Sequence, residues 1–207
     1  RRSGVRPEPS TVIYDVAVPL AVAATFLALL LVPVGSVAPD WGLGNDALVV
    51  FGLLAADMLL GAPLQLNTVF GYSPTVGGRF AGMGNLAYGQ FAGAAFLLCG
   101  LLSRRLAGRS FGTAVAFSVL VVAIIVDGMP IWGSDVGGVL AFVPAVGVTA
   151  AQVLGHRVRW RSVALWGAAS LVVVGFFAAL DLARPADRRT HLGRLVEAVA
   201  DQGLGAF

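Results

Sequence analysis

The feature that most constrains this chain is a series of six long apolar stretches separated by short polar loops. They run over 16–34, 43–62, 84–102, 111–126, 136–154 and 163–180. A helix that crosses the hydrocarbon core of a bilayer needs about 20 mostly apolar residues. The stretches are continuous rather than alternating and too long for barrel strands, so they predict helices. Charge within them is sparse: the second carries Asp46 near its start and Asp57 well inside, and the fourth ends at Asp127. Only 12% of the chain is charged, half of what a typical soluble domain carries, which excludes that class. Disorder is excluded as well, because it needs low hydrophobicity and high charge, and here 57% of residues are hydrophobic. The expected fold is therefore all-α, a polytopic integral membrane protein of about six transmembrane helices. The expected organisation is a flank over 1–15, a transmembrane domain over 16–182 and a polar tail with an amphipathic helix over 183–207.

The net charge of +3 and the pI of about 9.7 invite a nucleic-acid reading. The arginines, however, sit in short runs between apolar stretches, so no nucleic-acid partner is expected. All 14 basic residues are Arg, a bias that GC-rich codon usage explains. The single cysteine, Cys99, excludes an internal disulfide. Beginning at Arg1 rather than Met, the sequence reads as a processed chain or a piece of a longer one. It carries no signal peptide with a small-residue cleavage site.

Orientation follows from arginine in short loops. Loop 104–110 holds Arg104, Arg105 and Arg109, and loop 155–162 holds Arg157, Arg159 and Arg161. The loop between them, 127–135, holds none. Both Arg-rich loops are thus expected inside, with the N-terminus, loop 63–83, loop 127–135 and the tail outside. The arginines of the flank and the tail then fall outside, against the rule. Small residues predict where helices approach closely. Gly133, Gly137, Ala141, Ala145 and Thr149 form one stripe, Gly147, Ala151 and Gly155 a second, and Gly89 and Gly93 a GxxxG pair.

Three polar constellations share the outer side of this topology. The first, over 64–85, contains Asn67, Tyr72, Arg79 and Asn85 among five glycines. It is too long for a tight turn and too broken for a helix, and a re-entrant loop fits it, since irregular backbone is tolerated at depth when buried in protein. Its glycine N–H groups, the N-terminus of the third stretch and Arg79 suit an anion such as a phosphate headgroup. The second, over 127–138, places Asp127 and Asp135 around a turn with Pro130; Ser134 or Asp135 is placed to cap the next helix, and Trp132 to anchor it at the interface. The third, over 181–194, gathers Asp181, Arg184, Arg188, Arg189, His191 and Arg194. Beyond it Leu192, Leu195, Val196 and Val199 predict an amphipathic helix on the membrane surface.

The three outward-running stretches each carry an Asp near the outer end, soon followed by Pro: Asp57 and Pro63, Asp127 and Pro130, Asp181 and Pro185. A carboxylate at a helix C-terminus opposes the macrodipole at a cost of ~0.3–1 kcal/mol. One near mid-bilayer costs ~2.5–3.5 kcal/mol on insertion scales. Such groups want cationic partners, which predicts a buried Asp/Arg network, with Asp57 paired to Arg79 as its leading example. The candidate substrate-binding residues are accordingly Asp57, Asn67, Tyr72, Arg79, Asn85, Asp127, Asp135, Asp181, Arg184, Arg188 and His191. No HExxH, CxxC, P-loop or GxSxG signature is present, so no catalytic residue, metal or cofactor is assigned.

The segments LQLNTVFGYSPTVGGRFAGMGN, DGMPIWGSDVGGVLAFVP and LDLARPADRRTHLGR, in this order across residues 43–197, resemble the membrane domain of a family of large bacterial envelope proteins. In that family the domain often follows an extracytoplasmic domain similar to the alkaline-phosphatase superfamily. Ala81 and Met83 depart from it, standing where aromatics are expected. The resemblance implies a multi-pass protein of the bacterial plasma membrane, with membrane lipids, an upstream extracytoplasmic domain or other membrane subunits as partners. Three functional readings stand side by side. One is an outer-face Asp/Arg site for an anionic, lipid-linked substrate. The second is a transporter or channel with an intramembrane carboxylate path, and the third is a structural anchor.

Overall fold

The computed structural model describes residues 42–65 and 82–203. The first apolar stretch, the N-terminal flank and residues Asn67, Tyr72 and Arg79 lie outside this range. The described chain is all-helical. Its α-helices are α1 (Gly42–Leu59), α2 (Asn85–Arg105), α3 (Gly112–Gly128), α4 (Val136–Val153), α5 (Trp160–Leu182) and α6 (His191–Gln202). Short 3-10 turns at Pro63–Gln65 and Ala186–Arg188 follow α1 and α5.

Helices α1, α2, α4 and α5 are long and apolar enough to cross a membrane; α3, at 17 residues, is a shorter apolar helix. The first five helices match the expected stretches to within a few residues at each end. The short connections after α2, α3 and α4 leave those helices antiparallel in turn, and the hydrogen bond from Gly84 to Gln65 sets the start of α2 beside the end of α1, so the bundle has two distinct ends. The core lies among α1, α2 and α3, where Leu54, Met58, Phe91, Leu98 and Leu120 are buried, and Phe142 of α4 joins it. Phe51 stacks on Phe91 with ring centroids 4.8 Å apart, and Phe96 on Phe142 at 5.0 Å. Such pairs add to the stabilisation that burial alone supplies.

The outside is as apolar as the inside. Leu165, Leu171, Val172 and Phe176 of α5 are each more than half exposed, and 17% of its most apolar window is buried. Contiguous apolar exterior on that scale suits lipid rather than water. Where lipid surrounds a helix, packing rather than hydrophobic burial holds it to its neighbour, and small residues permit the closest approach. Gly147 fulfils this: a methyl group there would run into the indole of Trp166 on α5. Ala151 of the same stripe is buried. The GxxxG pair does not, because Gly89 and Gly93 have no other residue within contact range of a Cβ among the described residues. In the other stripe Gly133 is pressed against the Asp127 backbone, whereas Gly137 has only an ordinary contact with Asp135; Gly138, outside the stripe, is crowded by Asp127 and Tyr88.

Candidate functional site

The buried charge gathers at one end of the bundle, where α1, α3 and α5 finish and α2 and α4 begin. Asp57, Asp127, Asp135 and Asp181 are all buried there. Each sits where a turn needs a polar anchor.

Asp57 is two residues from the end of α1. The chain then reverses through Gly61 and Ala62, both at positive φ, and Ala62 N–H donates to the Asp57 carbonyl at 2.7 Å. Its carboxylate accepts from Leu64 N–H at 2.7 Å and from Gln65 Nε2 at 2.9 Å. The Gln65 Oε1 in turn accepts from Gly84 N–H at 3.0 Å. Asp57 thus fastens the turn after α1 and, through Gln65, the start of α2. Each of its oxygens accepts a hydrogen bond from a group of the turn; the expected pairing with Arg79 lies outside the described residues. Two of the N–H groups just before α2 are spent in the same way. Gly84 N–H goes to Gln65, and Met83 N–H to the Gly133 carbonyl at 3.0 Å. Gly82 lies against that carbonyl so closely that a side chain is excluded. Asn85 is exposed at the first position of α2.

Asp127 and Asp135 bracket the α3–α4 turn. Asp135 N–H donates to the Asp127 carbonyl at 3.0 Å, and the Asp135 carboxylate caps α4 by accepting from Gly138 N–H at 3.0 Å. Of the two capping candidates, Asp135 therefore serves. Ser134, at φ 50°, turns its hydroxyl back to donate to the Pro130 carbonyl at 2.9 Å. The Asp127 carboxylate lies against Gly138, and Tyr88 of α2 donates its phenol to the Gly138 carbonyl at 3.0 Å. Any side chain at 138 would strike both carboxylates and the tyrosine ring.

Asp181, one residue before the end of α5, is the most heavily bonded of the four. Its carboxylate accepts from Thr190 N–H at 2.9 Å, from the Thr190 hydroxyl at 2.6 Å and from Gly193 N–H at 2.9 Å. Arg184 Nη1 donates to it at 2.9 Å and to the Pro130 carbonyl at 3.1 Å. The macrodipole cost of an acid at the end of α5 is offset by the start of α6, whose N–H groups point at the same carboxylate. Gly193 is required here, since a Cβ would meet Asp181. Arg189 bonds the Arg184 carbonyl and pairs with Glu197 at 2.7 Å. The expected Asp/Arg network is therefore realised in the described residues as Asp181 with Arg184, within one helical turn.

Above these anchors lies an open cleft of about 1030 Å³. One wall is the α3–α4 turn, with Pro130, Ile131, Trp132 and Ser134; the other is the start of α6, with Arg188, His191, Arg194 and Leu195. Gln65 and Arg184 also reach it. Of the residues expected to bind substrate, Arg184, Arg188 and His191 line this cleft. Asp57, Asn85, Asp127, Asp135 and Asp181 do not line it; the four acids are buried beneath it as turn anchors. Sequence reasoning missed Gln65 and Thr190 and left Arg189 and Arg194 out of the site. The dense arginine run 184–194 was the available signal for the last two. Gln65 has no such signal, because its role depends on Gly84 coming alongside.

Fold and cleft together define an all-helical bundle of membrane-spanning length whose one end is pinned by buried acids under a cationic cleft. The chain matches no family model, no curated protein and no solved structure.

Proposed function

We propose that this chain is a membrane domain of a bacterial cell-envelope protein that holds an anionic, lipid-linked substrate in the cleft at the end of α5. One observation carries the reading. The side chains of Arg188, His191 and Arg194 are exposed on the cleft wall and have no hydrogen bond or ion pair among the described residues, while Trp132, Ile131 and Leu195 supply apolar surface beside them. Arginine grips phosphate oxygens through two parallel hydrogen bonds, and an apolar wall next to it suits the chain of an amphiphile. Asp181 holds Arg184 and the start of α6, the helix that carries His191 and Arg194, and is buried beneath the cleft rather than exposed to a ligand. In this reading the chain crosses the plasma membrane six times, loop 63–83 is re-entrant, and α6 lies at the outer interface. The cleft then faces the same side as an upstream extracytoplasmic domain of the kind that the resemblance implies. The engagement of both Asp57 oxygens by Leu64 and Gln65 favours this reading over a carboxylate path for ions or protons.

The test is native mass spectrometry of the detergent-purified protein with phosphatidic acid and a chain-matched diacylglycerol. Wild type is expected to retain the phosphate-bearing lipid selectively, and Arg188→Gln/Arg194→Gln to lose that selectivity. Equal retention of both lipids by wild type, or a variant indistinguishable from it, overturns the proposal.

A further inference from the structure

The opposite end of the bundle carries a second charged surface that the cleft does not use. Residues 152–161, from the last turn of α4 to the first turn of α5, are exposed without interruption. The segment turns at Gly155 (φ +71°) and then runs outside any helix or turn to Arg159, whose backbone is extended (φ −113°, ψ 153°). Its sequence, Arg157-Val158-Arg159-Trp160-Arg161, alternates cation with apolar residue. Trp160 is 76% exposed, among the most solvent-open large side chains of the described chain, and Leu154 and Val158 are exposed too. The Arg161 guanidinium lies 5.7 Å from the Trp160 ring centroid. The neighbouring α2–α3 loop repeats the combination, with exposed Phe111 and the Arg109 guanidinium 6.0 Å from its ring. Arg104, Arg109, Arg157, Arg159 and Arg161 have no ion pair among the described residues. The acids of the α3–α4 turn and of the tail are all at the other end; Asp46, near the start of α1, is the one described acid at this end.

A water-facing loop has no use for an exposed tryptophan and valine between arginines. A bilayer surface uses both: the indole and the aliphatic side chains enter the headgroup boundary, and guanidinium groups meet lipid phosphates. We infer that residues 152–161, with Arg104, Arg109 and Phe111, form a docking surface for anionic phospholipid headgroups. This surface rests on the bundle being embedded in a membrane but not on the cleft being a binding site. It would select acidic lipid at the end opposite the cleft and fix the depth of α4 and α5 in the bilayer.

The probe is bilayers of phosphatidylcholine and phosphatidylglycerol, into which the purified protein is reconstituted, with bromine on the acyl chains of one lipid at a time. The Trp160 signal is the difference in quenching between wild type and Trp160→Phe. Brominated phosphatidylglycerol is expected to quench Trp160 more than brominated phosphatidylcholine at equal mole fraction. The preference should disappear in Arg157→Gln/Arg159→Gln/Arg161→Gln and weaken with added salt, since exposed charges are screened. It should persist in Arg188→Gln/Arg194→Gln, which separates this surface from the cleft. The side chains of the three loop arginines make no hydrogen bond among the described residues, so the triple variant folds, and an unchanged elution volume checks this. Equal quenching by the two lipids, no Trp160-dependent quenching, or a preference that survives the triple variant overturns the inference.

Discussion

The two ends of this bundle are built from the same residue types and do opposite things with them. At the end where α5 finishes, acids are buried, and three of them are fastened to turns through their carboxylates. Asp57 takes Leu64 and Gln65, Asp135 takes Gly138, and Asp181 takes Thr190, Gly193 and Arg184. At the other end arginines are exposed and make no ion pairs with the described chain, Arg105 apart. A buried polar group must be satisfied by the protein, so its removal is felt throughout its turn. An exposed guanidinium is satisfied by water or by a headgroup, so its removal leaves the fold alone. The difference teaches that the buried acids at the first end hold the architecture, whereas the exposed arginines, those of the second end among them, are available for partners.

The largest expected effect tests the anchored end at its densest point. Asp181→Ala removes the group that collects the start of α6 and leaves Arg184 without its partner; breaking a buried pair in this way costs ~3–5 kcal/mol. The thermal midpoint in detergent should fall, and amide hydrogen exchange across 190–202 should accelerate. Gly193→Ala should release α6 in the same manner by steric conflict with the carboxylate. If α6 stays protected in both variants, Asp181 is not what holds it.

A smaller effect is expected at Gln65, which links two helices through its amide. Gln65→Ala deprives one Asp57 oxygen and the Gly84 N–H of partners, at about 1–3 kcal/mol for buried groups left unsatisfied. Gln65→Glu keeps the acceptor but loses the donor and sets a carboxylate beside Asp57, so it should be no better than alanine. Stability equal to wild type in Gln65→Glu would show that the Asp57 contact contributes nothing. The smallest effect belongs to the exposed end. Arg157→Gln/Arg159→Gln/Arg161→Gln should change stability in neutral detergent by less than ~0.5 kcal/mol per substitution, as surface changes do. A larger loss would mean that these arginines hold the fold, and the contrast between the ends would collapse.

Much of this was legible in the residues. The apolar stretches gave the helices because continuous hydrophobicity of that length has few other solutions. Asp135 was readable as a cap because it stands immediately before a helix start with small residues after it. The amphipathic spacing of Leu192, Val196 and Val199 gave α6. The turn contacts of Asp57 were not legible: charge matching pointed to Arg79, which lies outside the described residues, and gave no hint that a backbone N–H and an amide of the turn also bond the carboxylate. The Gly89 and Gly93 pair meets no neighbour among the described residues. A spacing that permits close approach does not say which neighbour, if any, arrives.

By itself the sequence determined that the chain is helical and apolar enough to span a membrane, and where its charges fall along it. These follow from local rules: hydrophobic length, small-residue spacing and the position of acids at helix ends. Only the tertiary structure decided what the acids do. Whether a carboxylate meets a ligand, a cation or its own backbone depends on which groups the turns bring within about 3 Å, and those groups come from the turn after α1, from α4 and from α6. The same packing set Trp132 opposite Arg188 and Arg194 across one cleft, a juxtaposition of residues more than fifty positions apart that no periodicity encodes.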